Sequence, residues 1–211
     1  MKSAALRRLR GIYSLADDAP RRRHNPCAVI QAALAGGSTV VQLRLKHTAD
    51  RDALALARWA IELTRGAGAL LFVDDRFDLA DLAVADGVHL GQHDLPPERI
   101  PEELRERLLI GLSTHTLDQV RESQKRPVDY IGFGPIFGTT SKESAWQPRG
   151  TEMLARAVAL AGRPVVAIGG IDLENVALVA RTGAAAAAII SAIADAVDPT
   201  AATRALQEQF A

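Results

Sequence analysis

The sequence is poor in cysteine, carries no net charge and lacks a long apolar run. Cys27 is the only cysteine among 211 residues, which excludes an internal disulfide and a cysteine-rich metal site. Lys+Arg and Asp+Glu both total 25, so no global field attracts nucleic acid or an anionic membrane. The longest uncharged, mostly apolar stretch, residues 183–194, is too short to span a bilayer. Any anion must therefore be bound by a local cluster of residues.

The N-terminal segment and a short basic run narrow the function further. Residues 1–10 are basic without an apolar run, so we expect no secretory signal and, with one cysteine, a cytoplasmic location. The basic run at 21–24 lacks interleaved aromatic residues. We therefore expect this run to have a surface or packing role and not to bind nucleic acid, and we expect the same surface or packing role for Trp59 and Trp146. The length predicts one domain over residues 1–211 and leaves a homo-oligomer open.

Short β-branched or apolar runs alternate with longer segments of helical period along the whole chain. The predicted strands cover residues 11–14, 40–45, 70–73, 87–90, 109–112, 130–133, 164–168 and 186–190. The predicted helices cover residues 28–35, 50–66, 79–85, 102–107, 117–124, 152–161, 173–182 and 200–210. Such alternation implies a parallel sheet covered by helices, either closed into a barrel or open and doubly wound. The eight strand–helix pairs favour a single (β/α)8 TIM barrel.

Polar residues gather where the predicted strands lead into helices, which also favours the barrel. They are Gln42, Arg44 and Lys46 on strand two, Asp74 and Asp75 after strand three, His89 and Asp94 on and after strand four, Ser113 after strand five, Thr139, Ser141 and Lys142 after strand six, Gly169 and Gly170 after strand seven, and Ser191 after strand eight. Barrel enzymes carry their chemistry at this end of the strands. We therefore expect the active site there.

Strand two places three polar side chains on one face. Gln42, Arg44 and Lys46 alternate with apolar residues, although a parallel strand covered on both faces should be apolar throughout. In a barrel these side chains point into the mouth, where two cations can hold a diphosphate. The alternative is an edge strand with one solvated face.

Two carboxylates follow the neighbouring strands three and four. Asp75 and Asp94 suit Mg²⁺, which takes one or two carboxylates together with phosphate oxygens of a substrate. The alternative is helix capping, because each Asp precedes a predicted helix or a Pro-Pro pair and Asp is a favoured N-cap.

Further segments suit a phosphate group or acid–base chemistry. Residues 134–142 are rich in Gly, Thr and Ser and end in a lysine, which makes a phosphate cradle or an ordinary surface loop. Gly169, Gly170 and Ser191 follow strands seven and eight, where barrels often bind phosphate; the alternative is a tight turn. His89 lies in a predicted strand, so we expect its side chain to be packed or hydrogen-bonded. His115 lies in a predicted loop and is the candidate acid–base histidine.

Together these motifs resemble the thiamine phosphate synthase family over nearly the whole chain. Residues 41–46 resemble its Gln-x-Arg-x-Lys strand, and residues 87–94 resemble its Gly-x-His-x-Gly-Gln-x-Asp signature. Residues 134–142 resemble its Gly-Pro-Ile/Val loop ending in Thr-x-Thr-Lys, with Ser141 in place of the second Thr. Residues 167–171 and 190–193 complete the pattern in the family's order.

The resemblance implies a Mg²⁺-dependent transferase that joins a hydroxymethylpyrimidine diphosphate to a thiazole phosphate and releases pyrophosphate. It implies a pyrimidine diphosphate site formed by Gln42, Arg44, Lys46, Ser113 and Lys142, in which Arg44, Lys46 and Lys142 are the catalytic cations. It implies a thiazole phosphate site formed by Thr139, Thr140, Ser141, Gly170, Ile190 and Ser191, and Asp75 and Asp94 as Mg²⁺ ligands.

One residue departs from the family pattern. The family usually has Asn where this chain has Asp74, and an ionised Asp cannot donate a hydrogen bond to the substrate. The added carboxylate either repels diphosphate or helps the metal. Two other functions remain open: a thiazole tautomerase that moves a proton through His115 or a neighbour, and a non-catalytic sensor of phosphate ligands.

Overall fold

The computed structural model describes residues 2–139 and 146–210, which form a closed barrel of parallel strands. The strands are β1 (Gly11–Asp17), β2 (Val40–Arg44), β3 (Leu70–Asp74), β4 (Gly87–Leu90), β5 (Leu109–Thr114), β6 (Tyr130–Phe133), β7 (Val165–Ile168) and β8 (Ala186–Ile189). They pair in chain order, and β1 closes the ring against β8. The predicted TIM barrel is confirmed. Because β2 pairs with both β1 and β3, the edge-strand interpretation of strand two is wrong.

Helices connect the strands and pack around the outside of the barrel, whereas the first helix precedes β1 and packs Ala5 and Leu6 against apolar residues inside the barrel. The helices are α1 (Lys2–Leu6), α2 (Pro26–Ala35), α3 (Asp50–Gly66), α4 (Phe77–Leu82), α5 (Glu102–Arg107), α6 (Leu117–Ser123), α7 (Gly150–Ala161), α8 (Val176–Ala180), α9 (Ser191–Ala194) and α10 (Pro199–Phe210), with a 3₁₀ turn at Pro97–Arg99. Within the described ranges, no helix combines the length and the apolar character that crossing a membrane requires.

Most elements begin or end one to three residues from their predicted bounds, and two of these differences have a clear local reason. The strand predicted at 11–14 continues to Asp17, because Leu15 and Asp17 pair in register with Gln42 and Arg44 of β2. The helix predicted at 173–182 shortens to α8. Asp172 accepts a hydrogen bond from the amide of Glu174 at 3.0 Å, which forms a turn in place of the first helical residues.

The strands separate an inner apolar layer from an outer one. Inside the barrel, Tyr13, Phe72 and Tyr130 pack with ring centroids 5.4 to 6.4 Å apart. Small residues make room for these rings: a Cβ on Gly111 would collide with the Tyr130 ring, and one on Gly87 with Phe72. The alanine run before and along β8 serves the same need, since two of its alanines lie in this inner layer. The crowded interior directs ligands to the barrel mouth.

Candidate active site

The carboxyl ends of the strands surround a cleft of about 530 Å³ that is partly open to solvent. Six of the residues predicted from the sequence line it: Gln42, Arg44, Asp74, Asp75, Ser113 and Ile190. They come from four different strands, β2, β3, β5 and β8, or the segments directly after them, and the barrel brings them to one end. This is the end at which barrel enzymes hold their active sites.

Two cations and two carboxylates meet where β2 and β3 end. Arg44 Nε lies 3.6 Å and Lys46 Nζ lies 3.3 Å from Asp74 Oδ2, and Lys46 also pairs closely with Asp75. Arg44 Nε and Asp74 Oδ2 are both buried without a hydrogen-bond partner among the described residues. Such atoms retain bonding capacity that a ligand can satisfy. The cluster is therefore suited to exchange its internal ion pairs for contacts with an anion or a cation.

Neither proposed metal ligand acts as a helix cap. Arg76 is the residue at the N-cap of α4, and Asp75 before it takes a left-handed backbone with φ of 62°. Asp94 Oδ2 accepts a hydrogen bond from the Gly91 amide at 2.6 Å, which closes the turn after β4, and the following 3₁₀ turn has Pro96 at its N-cap. Helix capping therefore does not explain either carboxylate.

A row of five hydrogen-bonded polar side chains crosses the inside of the barrel, and all but Tyr130 line the cleft. Gln42 Nε2 donates to the Tyr13 hydroxyl at 2.9 Å, and the hydroxyls of Tyr13 and Tyr130 are 3.1 Å apart. His89 bonds to Tyr130 through Nδ1 at 3.0 Å and to Ser113 through Nε2 at 2.9 Å. Burial raises the pKa of both tyrosines above their usual range, so their hydroxyls stay protonated. The row fixes Gln42 and Ser113 relative to each other.

A chain of ion pairs also runs along the mouth. It links six side chains in this order: Asp195, Arg22, Asp17, Arg44, Asp74 and Lys46. Asp17 is fully buried; its Oδ1 accepts from Arg44 Nη1 at 2.7 Å and its Oδ2 from Arg22 Nε at 2.9 Å. Arg22 Nη1 then donates to Asp195 Oδ2 at 2.8 Å. The chain connects β1, β2 and β3 with the segment after β8.

The loops after β6 and β7 lie against each other. The Phe137 amide donates to the Gly169 carbonyl at 3.0 Å, and a Cβ on Gly170, where φ is 64°, would lie 2.8 Å from Phe137 Cβ. This close approach places Gly170 next to Gly138, the residue before Thr139. Ile190 lines the cleft and Ser191 begins α9 directly after it. The predicted residues Thr140, Ser141 and Lys142 lie outside the described ranges.

Comparisons with known proteins assign the chain to a family. The sequence model of the family described as Thiamine monophosphate synthase matches residues 12–193. The chain belongs to this family. It is 43% identical over 203 residues to the thiamine-phosphate synthase of Anaeromyxobacter dehalogenans, covering 96% of this chain and 89% of the relative. The corresponding enzyme of Chloroflexus aurantiacus is 42% identical over 196 residues, covering 93% and 90%.

A solved structure of the same family agrees with this assignment. Thiamine phosphate pyrophosphorylase from Pyrococcus furiosus superposes with a TM-score of 0.87 at 36% identity and covers 97% of each chain. (S)-3-O-geranylgeranylglyceryl phosphate synthase from Thermoplasma acidophilum superposes with a TM-score of 0.71 at 13% identity, covering 100% of this chain and 98% of the other. At that identity the second likeness shows the shared fold alone.

The residues that the family resemblance assigns fall into three groups in the structure. Gln42, Arg44, Asp74, Asp75, Ser113 and Ile190 line the cleft. Lys46 and Asp94 contact this group, Lys46 through Asp74 and Asp75 and Asp94 through the cleft residue Gly91. Ser191 and Gly170 stand at the ends of the neighbouring strands β8 and β7. His115 bonds through Nδ1 to the Gly134 carbonyl at 2.7 Å, stacks on Trp146 and is absent from the described cleft lining.

The sequence did not identify Asp17, Arg22 or the two tyrosines as residues at or beside the cleft. The strand that carries Asp17 was predicted to end at residue 14, which placed this carboxylate in a loop. Arg22 lies in the basic run that predicted only surface or packing roles, yet its side chain is 4% exposed and forms ion pairs with two carboxylates. The tyrosines carried one usable signal: they are the only two in the chain, and each lies within a predicted strand.

The carboxylates present fit a divalent cation of the magnesium type. The described residues contain no group of three or more His, Cys, Asp or Glu side chains that could hold a metal alone. Mg²⁺ needs only one or two carboxylates when a substrate phosphate completes its shell. Asp75 lines the cleft, and Asp94 Oδ2 contacts the cleft-lining residue Gly91. This donor set is hard and oxygen-only, as Mg²⁺ requires.

Proposed function

We propose that this protein is a thiamine phosphate synthase. It condenses hydroxymethylpyrimidine diphosphate with hydroxyethylthiazole phosphate to give thiamine phosphate and pyrophosphate. The observation that carries the proposal is the cluster of Arg44, Lys46, Asp74 and Asp75 at the barrel mouth, in a chain 43% identical to an enzyme named thiamine-phosphate synthase. Cations beside carboxylates suit a diphosphate that is bound with a metal ion.

The pyrimidine diphosphate is proposed to bind over β2. Arg44 and Lys46 contact the phosphates, Lys142 adds a third cation, and Gln42 and Ser113 contact the substrate from the opposite ends of the hydrogen-bonded row. Because the row is largely buried and hydrogen-bonded from end to end, these two side chains are held in place before the substrate arrives. Preorganised contacts cost little reorganisation when charge develops in the transition state.

The thiazole phosphate is proposed to bind over β7 and β8. Its ligands are Thr139, Thr140, Ser141, Gly170, Ile190 and Ser191. The glycine allows backbone amides to approach a phosphate closely, and the hydroxyl groups donate hydrogen bonds to its oxygens. With both phosphates anchored, the thiazole nitrogen is held facing the carbon that it attacks.

In the proposed step, the bond from the pyrimidine methylene carbon to the diphosphate oxygen breaks and its electron pair leaves with pyrophosphate. The thiazole nitrogen supplies the electron pair for the new carbon–nitrogen bond and becomes positively charged. Asp75 and Asp94 would hold Mg²⁺, which when bound would neutralise part of the leaving group's charge. Arg44, Lys46 and Lys142 contribute to the same neutralisation, and no side chain acts as a nucleophile.

A coupled assay tests the proposal. Purified protein is incubated with both substrates, with and without Mg²⁺, and thiamine phosphate and pyrophosphate are quantified. We expect equal amounts of the two products, formed only when the metal is present. Asp75→Ala and Asp94→Ala should each raise the Mg²⁺ concentration needed for half-maximal rate. Isomerisation of the thiazole phosphate without the diphosphate substrate would identify a tautomerase, and binding without turnover a sensor.

A further inference from the structure

Asp17 is a buried carboxylate to which the proposed reaction assigns no role. It ends β1, its side chain is 0% exposed, and each oxygen accepts a hydrogen bond from a different arginine. Removing one member of such a set is strongly destabilising, because it leaves another buried charge without a partner. One of the two arginines, Arg44, lines the cleft, so Asp17 fixes a cleft cation from behind.

Arg22 extends this fixation toward the opposite side of the mouth. Its side chain is 4% exposed and spans from Asp17 to Asp195, the residue that follows α9. The Arg23 amide donates to Asp195 Oδ1 at 3.2 Å, and the His24 amide donates to the Ala194 carbonyl at 3.1 Å. The segment after β8 is therefore tied to the loop after β1 by both side-chain and backbone bonds.

The loop after β1 is bonded equally firmly to the segment after β2. Asp18 accepts hydrogen bonds from the amides of Lys46, His47 and Thr48 at 2.8 to 2.9 Å. The Asp18 amide donates to the Arg44 carbonyl at 3.1 Å. One short loop thus contacts both the cations proposed for the diphosphate and the helix that begins at Ser191.

We propose that Asp17 and Arg22 are positioning residues that hold the two phosphate sites in a fixed relation. Asp17 orients the Arg44 guanidinium toward the diphosphate, and Arg22 ties this pair to the segment that carries Ser191. The inference rests on the proposed function, since it assigns the two sites to two substrates. It goes further by giving the loop after β1 a role in aligning the attacking and departing groups, which proximity catalysis requires.

The test compares Asp17→Asn, Arg22→Gln, Arg22→Lys and Asp195→Asn with the unmodified protein. Binding of inorganic pyrophosphate at fixed Mg²⁺ is measured by calorimetry, and kcat and KM are measured for each substrate. We expect Asp17→Asn to weaken pyrophosphate binding about tenfold, equivalent to ~1.4 kcal/mol. It should also raise the KM for the diphosphate and lower kcat, because Arg44 loses the partner that orients it.

The distal variants separate the two ends of the ion-pair chain. Asp195→Asn, whose side chain is 37% exposed, should raise the KM for thiazole phosphate about threefold and leave pyrophosphate binding within about twofold. Arg22→Gln should raise both KM values, and Arg22→Lys should recover part of the loss because it keeps the charge. Arg23→Gln removes a neighbouring exposed arginine and should match the unmodified protein.

Three results would overturn the inference. One is a lower melting temperature for Asp17→Asn with unchanged pyrophosphate affinity and unchanged kinetic constants. Another, which decides the matter if Asp17→Asn does not fold, is an Arg22→Gln variant with both KM values unchanged. The third is an unmodified protein that binds no pyrophosphate. A different outcome concerns the proposed function. If the unmodified protein binds pyrophosphate but forms no thiamine phosphate, the proposed function fails, and the calorimetric comparison of the variants still tests the orientation of Arg44.

Discussion

Asp74 lies between the two cations that the proposed reaction assigns to a diphosphate. Its Oδ2 is 3.6 Å from Arg44 Nε and 3.3 Å from Lys46 Nζ, so it competes with phosphate oxygens for both. The Asn usual at this position in the family would leave Arg44 paired with Asp17 and Lys46 paired with Asp75, without a further carboxylate between the two cations. A diphosphate bound there, as proposed, would face an internal carboxylate, and a divalent metal would offset its charge.

Asp74→Asn should strengthen the binding of the diphosphate at limiting Mg²⁺. The Asn amide has nearly the same shape, removes one negative charge and adds a hydrogen-bond donor. We expect affinity to rise about fivefold, corresponding to ~1 kcal/mol for a partly screened ion pair, and to converge with the unmodified protein at saturating Mg²⁺. The measurement is a calorimetric titration of inorganic pyrophosphate at a series of Mg²⁺ concentrations.

Asp78→Asn provides the matched control for this titration. Asp78 lies in the first turn of α4 and pairs with Arg76, away from the residues that line the cleft. It should leave pyrophosphate affinity unchanged at every Mg²⁺ concentration. A need for more Mg²⁺ in Asp74→Asn than in the unmodified protein would instead show that Asp74 has become a metal ligand.

At the scale of elements, polar residues in strand patterns were the most informative feature of the sequence. Gln42 and Arg44 alternate with apolar residues and lie in the cleft, because period two fixes which side chains share a face. The extent of β1 was underestimated, since the sequence after residue 14 offers no marker of continued pairing with β2. Local sequence patterns do not show which distant segments pair with each other. The ion-pair chain through Asp17 depends on such pairing.

The loops after different strands should carry separable functions. Lys142→Ala, in the loop after β6, should mainly impair use of the diphosphate, because a cation on the leaving group matters most as charge develops there. Ser191→Ala, at the start of α9, should mainly raise the KM for thiazole phosphate, by about tenfold to a hundredfold for one lost hydrogen bond to a charged group. Steady-state kinetics with each substrate varied in turn measures both. The reverse pattern would mean that the two sites are exchanged.

At the scale of the whole molecule, the number of strands and their closure followed from the alternation of strand and helix patterns. The prediction of a packed or hydrogen-bonded His89 is confirmed, but its partners and the roles of the two tyrosines did not follow from the sequence. Their hydrogen bonds join β1, β4, β5 and β6 across the barrel, and only closure brings these strands within reach. The same closure joins Asp195, after β8, to Arg22, after β1. Contacts that depend on closure were therefore the part that sequence could not predict.

The stability of the fold should also depend on pH through Asp18, which links the loop after β1 to the segment after β2. Partial burial of Asp18 opposes its ionisation, but hydrogen bonds from Lys46, His47 and Thr48 outweigh this and lower its pKa. A carboxylate whose pKa is lowered on folding stabilises the fold above its unfolded pKa. That stability is lost as pH falls through the folded pKa.

Asp18→Asn should therefore flatten the acid side of the stability profile. We expect a loss of about 1 kcal/mol at pH 7, typical of a lost side-chain acceptor for backbone amides. The difference from the unmodified protein should shrink as pH falls below the unfolded pKa of Asp, about 3.9. Urea denaturation at a series of pH values measures it, with Glu106→Gln on an exposed helical position as the control. A difference that stays constant down to pH 3 would show that the charge of Asp18 does not hold the two segments together.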